Sequence, residues 1–147
     1  MTIELGEGLL HRSAQDERTV PRMPGMVLES AGPHRHAVNV GFHDSQVRQR
    51  AVLIQTGWNG ERPEAGPPYL SDDLVFRLIR SGVKLVGVDF DEVEEPALSN
   101  LLAANIMVVA RLRRLAAAPR VGFRFQAVPL SEAGAGVTRV RAFVETL

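Results

Sequence analysis

From residue 51 onward the chain alternates short, fully apolar runs with stretches whose apolar residues recur at helical spacing. AVLIQTG is apolar over its first four residues and closed by Gly57, the pattern of a buried strand. Residues 59–68, dense in Gly, Pro and Glu, read as an exposed loop. In DDLVFRLIRSG, preceded by Ser71, Leu74, Leu78 and Ile79 share one helical face. Ser71 can cap the free amides, Asp72 and Asp73 suit the positive end of the helix dipole, and Gly82 can take the left-handed closing conformation. A helix of about ten residues is predicted here, and KLVGVDF is the next buried strand. Strand, helix and strand in this order imply parallel pairing through a crossover. Pro96 opens a second helical stretch to about Asn105, followed by the strand IMVVARL. GFRFQAVPL and TRVRAFVE alternate apolar and polar residues around the turn SEAGAG.

The first 50 residues are weakly patterned. Residues 13–22 are polar, Pro21, Pro24 and Gly25 interrupt the chain, and MVLES and HAVNVGF are two short strand candidates around Gly32 and Pro33. Such a pair can form a hairpin. The expected architecture is a single mixed α/β domain over residues 1–147, a mixed β-sheet with flanking helices. Residues 1–50 form an atypical part of it.

Composition narrows the function classes. Hydrophobic residues make up 45%, aromatic residues 5% and charged residues 23%, which describes a globular chain with an aliphatic core. Acids and bases balance at 17 each, so no net field draws the chain to nucleic acid or an anionic membrane. The absence of cysteine excludes disulfides, thiolate metal sites and thiol nucleophiles. Without a long apolar run or a leader-like N-terminus, a cytoplasmic protein is expected.

Few residues offer chemistry. PHRHAVNVGFHD is the one stretch able to build a metal site: on a strand His34 and His36 share a face, and His43 and Asp44 can return across a turn to hold zinc or manganese. The simpler reading is surface histidines beside a Gly-Pro turn. Asp89, Asp91, Glu92, Glu94 and Glu95 form an acidic run that a cation would suit, although acids near the helix start at Pro96 account for it more simply. Arg111, Arg113 and Arg114 can hold an anion, but no interleaved aromatics point to nucleic acid.

Four segments, AVLIQTGW, GVKLVGVDF, LLAANIMVV and FQAVPLSEAGAGVTRVRAF, together resemble the cyclase family of metal-dependent hydrolases, which includes kynurenine formamidase and isatin hydrolase. They span residues 51–144, roughly two-thirds of the chain. The resemblance implies that family's swivelling β/β/α-type fold and a tendency to assemble. It also implies a divalent metal held by a motif His-x-Gly-Thr-His-x-Asp-x-Pro and activating water against an amide or lactone carbonyl. That motif is absent, and the part before residue 51 is shorter than the family's N-terminal part.

The resemblance further implies an acid-base histidine before the Leu-Leu pair and a metal-binding glutamate after the following strand. These positions fall on Leu98 and Ala110, and residues 97–110 contain no ionisable side chain. Trp58 matches the family's Thr-Gly-Trp, whose indole lies near the cleft, and is a candidate ligand contact; a loop anchor is the plainer reading. The expectation is a catalytically degenerate protein without a resident cofactor, whose former cleft is filled as apolar core. It would act as a homo-oligomeric small-ligand binder or as the partner of a full-length paralogue, with no nucleic-acid or membrane partner. The alternative is an active hydrolase of a small cyclic amide, lactone or formamide.

Overall fold

Strands that are apolar at every position have no face to show to water, so they must be covered on both sides. All four residues of LVGV at residues 85–88 are buried, as are the first four of AVLIQ. The computed structural model shows how. It describes residues 1–13, 20–30, 37–58, 66–134 and 136–147.

The strands are β1 (Thr2–His11), β2 (Met23–Glu29), β3 (Ala37–Val38), β4 (Ala51–Gln55), β5 (Tyr69–Leu70), β6 (Leu85–Val88), β7 (Met107–Ala110), β8 (Phe123–Gly134) and β9 (Val137–Thr146). The helices are α1 (Asp44–Val47), α2 (Asp72–Ser81) and α3 (Ala97–Ala103). Strands β2, β4, β6 and β7 run parallel, and β8, β9 and β1 join them antiparallel. The order β1-β7-β6-β4-β2-β8-β9 closes on itself as a barrel. The mixed sheet is therefore closed, not open, because β1 pairs with both β7 and β9.

Strand alternation divides the apolar residues into two cores. Ala51, Leu53, Leu85, Val109, Phe123, Phe125, Val140 and Val144 point into the barrel. Val52, Ile54, Val86, Val88, Val108 and Ala110 point outward, where Leu74, Val75 and Leu78 of α2 and Ala97 and Leu101 of α3 cover them. Helix α2 is built as its sequence requires: Ser71 Oγ accepts from Leu74 N at 3.1 Å, and Gly82 closes the helix at φ 77°.

The predicted hairpin between MVLES and HAVNVGF is not formed. β3 pairs in parallel with β5, and β2 lies between β4 and β8. A two-residue strand carries too little pattern to reveal its partner. No helix among the described residues is long and apolar enough to cross a membrane.

One glycine is fixed by packing. A Cβ on Gly87 would lie 2.7 Å from both Leu53 Cδ2 and Leu112 Cδ1, inside the barrel. Gly87→Ala should therefore destabilise by about 1 to 3 kcal/mol through overpacking. The check is a lower urea midpoint with an unchanged slope.

Candidate functional site

The carboxyl ends of parallel strands are where α/β sheets bind ligands. Asp89 follows β6 and is buried, with 7% of its surface exposed. Its Oδ2 accepts from Thr56 N and Gly57 N, each at 2.8 Å, and its Oδ1 accepts from Thr56 Oγ1 at 2.6 Å. Thr56 Oγ1 in turn accepts from Trp58 N at 3.2 Å. The carboxylate thus holds the Thr-Gly-Trp turn that follows β4. The sequence places the acidic run at the helix start. Asp89 does not serve there, whereas Glu95 does: Ser99 N donates to its Oε1 at 2.7 Å and Ser99 Oγ to its Oε2 at 2.5 Å. Those bonds hold the Glu95 carboxyl below the usual carboxylate range.

The Trp58 indole is partly buried against the outer apolar cluster, as a loop anchor should be. Its Nε1 is buried and has no hydrogen-bond partner among the described residues. Leu98 and Ala110, the positions where the resemblance expects a histidine and a glutamate, belong to the same cluster. Ala110 is fully buried, with 0% exposed. Leu98 is only partly buried.

Beyond Ala110 the chain turns sharply. Val108 and Ala110 face the helices, and strict alternation would place Leu112 with them. Leu112 instead enters the barrel, because Arg111 adopts φ 68° and inverts the alternation. Arg111 N donates to Phe90 O at 2.9 Å and its Nε to Asp91 O at 3.3 Å. Arg113 spans the same corner, with Nη1 donating to Asp89 O at 3.0 Å and Nη2 to Asp91 Oδ1 at 3.3 Å.

One residue here escaped the sequence reading. Leu10 and Val109 are paired and both point into the barrel, so their neighbours His11 and Val108, also paired, face outward beside Ala110. Burial, opposed by Glu92 and reinforced by Arg111, holds the His11 imidazole below the ordinary histidine pKa. Where the native value is depressed the unfolded chain binds more protons, so stability rises with pH through this window and falls as pH drops through the native value. Urea midpoints should decline from neutral to mildly acidic pH, and His11→Gln should flatten that decline.

Of the other metal candidates, His43 and Asp44 are not gathered at this site. His34 and His36 lie outside the described residues. His43 and Asp44 are exposed, and Asp44 Oδ1 accepts from Ser81 Oγ at 2.9 Å. Gln49 N donates to Gly82 O at 2.8 Å, which sets α1 where β4 and β6 begin. Trp58 and Asp89 follow the other ends of those strands, ~15 Å away at ~3.3 Å per strand residue. Among the described residues no three His, Cys, Asp or Glu side chains gather as a metal ion needs. Around Ala110 the donors are too few for one: Leu98 and Ala110 are hydrocarbon, the Asp89 carboxylate is occupied by the turn and Arg111 is a cation, which leaves His11 and its neighbour Glu92, short of the three protein ligands such a site uses.

No family model matches the sequence, and no curated protein matches it. Solved structures do match. A predicted metal-dependent hydrolase from Bacillus stearothermophilus superposes with a TM-score of 0.70 at 16% identity, covering 95% of this chain and 75% of that one. A potential metal-dependent hydrolase with cyclase activity gives the same values. Isatin hydrolase A from Labrenzia aggregata, bound to benzyl benzoate, gives 0.71 at 14% identity, covering 95% and 72%. The chain is thus a mixed α/β barrel domain whose structural neighbours are cyclase-family metal-dependent hydrolases. At these identities the likeness establishes the shared fold.

Proposed function

We propose that this chain is a non-catalytic protein on the cyclase hydrolase fold, with that family's swivelling β/β/α arrangement, acting in the cytoplasm as a homo-oligomeric small-ligand binder or partner subunit. The observation that carries the reading is the shared apolar cluster of Trp58, Leu98 and Ala110, where the resemblance calls for proton-transferring and metal-binding groups. Hydrocarbon side chains can do neither. Trp58 and Leu98, which are only partly buried, leave apolar surface for a ligand, and the unpartnered Trp58 Nε1 is a donor suited to a ligand carbonyl.

The test is hydrolysis of isatin and N-formylkynurenine by the full chain, with zinc or manganese supplied. The expected result is no turnover above the metal-only control. Turnover abolished by changing His34 or His36 would favour an active hydrolase and overturn the reading.

A further inference from the structure

The amino ends of β4 and β6, opposite to the ends that lead to Trp58 and Asp89, carry a group of cations. Ala51 pairs with Leu85, and one residue earlier Lys84 N donates to Arg50 O at 3.0 Å. Ala51 and Leu85 point into the barrel, so Arg50 and Lys84 both point outward from adjoining strands whose backbones are ~4.8 Å apart. Arg48 lies at the same corner: a Cβ on Gly82 would stand 3.6 Å from its Cγ. Between the two arginines Gln49, at φ 61°, turns the chain sharply, and its N donates to Gly82 O at 2.8 Å. Arg48 and Lys84 are exposed and Arg50 is half-buried.

Like charges on adjoining strands repel, and nothing among the described residues offsets these three. None of them makes an ion pair or a side-chain hydrogen bond there. The exposed arginines of β9 differ, Arg139 being bridged to Glu7 at 3.8 Å and Arg141 to Glu4 at 3.3 Å. Closing α2 does not occupy the three cations either. Arg77 O accepts from Ser81 Oγ, Ile79 O from Gly82 N and Gly82 O from Gln49 N. Asp44, the acid on neighbouring α1, accepts from Ser81 Oγ and bridges none of the three.

We propose that Arg48, Arg50 and Lys84 form a binding site for a phosphate group, either the free ion or the group of a small phosphomonoester. A planar guanidinium offers parallel N–H donors to two oxygens of such an anion, and the lysine ammonium adds a compact charge. A dianion offsets more of the three like charges than a carboxylate does, which sets the preference. The site lies ~15 Å along the strands from Trp58 and Asp89, at ~3.3 Å per residue, so it stands or falls apart from the non-catalytic reading.

The experiment is a titration of the full chain in Tris buffer with sodium phosphate, adenosine monophosphate, sodium acetate and sodium chloride at matched ionic strength. The backbone amide resonances of Gln49, Arg50 and Lys84 report binding. Phosphate should give saturable shifts there, acetate should bind at least ~10-fold more weakly, about the size of one charge-assisted contact, and chloride should give none. Adenosine monophosphate binding more tightly than phosphate at the same resonances identifies a phosphomonoester as the ligand, and equal or weaker binding identifies the free ion. Arg50→Gln and Lys84→Gln should each weaken phosphate by ~10-fold and leave Trp58 emission unchanged. Phosphate should also raise the melting temperature of the parent more than that of Lys84→Gln. An unaltered backbone spectrum shows that each variant folds. Chloride reproducing the phosphate shifts, shifts that map elsewhere, or a Lys84→Gln protein that binds phosphate as tightly as the parent overturns the proposal.

Discussion

Replacing Asp89 by alanine should destabilise the protein by about 2 to 5 kcal/mol, because two backbone amides and a hydroxyl lose a charged acceptor inside a nearly closed site. Asp89→Asn should cost less, as one oxygen remains while the new amide hydrogens face the same donors. Trp58 is the single tryptophan and its backbone N–H bonds to Thr56 Oγ1, so its fluorescence reports the state of the turn directly. In Asp89→Ala the emission should shift to longer wavelength before global unfolding begins. Parental stability and emission together would show that the carboxylate does not hold the turn.

The second large effect concerns the position where a metal ligand is expected. Ala110→Glu places a long carboxylate at a site with 0% exposure, among Val108, Val88 and Phe90. The added bulk and the unpaired charge together should cost about 3 to 5 kcal/mol, or prevent folding. Leu98→His should cost only about 1 to 2 kcal/mol, because Leu98 is partly exposed and less packing is lost. The double variant should lose stability and gain no metal, checked by thermal unfolding with and without zinc. A double variant that keeps the parental melting temperature and binds metal tightly would show that the cleft and its remaining ligands are intact.

Legibility in the sequence followed the range of the forces involved. Helix α2 could be read residue by residue, from the Ser71 cap to Gly82, because both signals act within one turn. The buried strands β4, β6 and β7 were visible as apolar runs. Strand β1 was missed: Gly6 and Gly8 interrupt its pattern, and an irregularity between Glu4 and Glu7 shifts its register against β9. Barrel closure depends on that strand pairing with two segments more than 90 residues away in sequence, which no local pattern records.

The site divided along the same line. Trp58, Leu98 and Ala110 were found from the resemblance of their segments, and they share one cluster in the structure. The Asp89 clamp joins residues 33 apart and was invisible, although an acid closing a buried strand is a signal that a nearby turn needs an acceptor. His11 was missed for the same reason as β1, since its facing is defined only by its pairing with Val108.

The proposed function requires that apolar packing at Leu98 and Ala110 stands where a metal-assisted active site would be. The most direct measurement is the metal content per chain of the full-length protein, purified without chelator from medium supplied with zinc and manganese. The account predicts far less than one metal ion per chain, unchanged when His34 and His36 are replaced. Zinc or manganese near one per chain, lost in that variant, would contradict it.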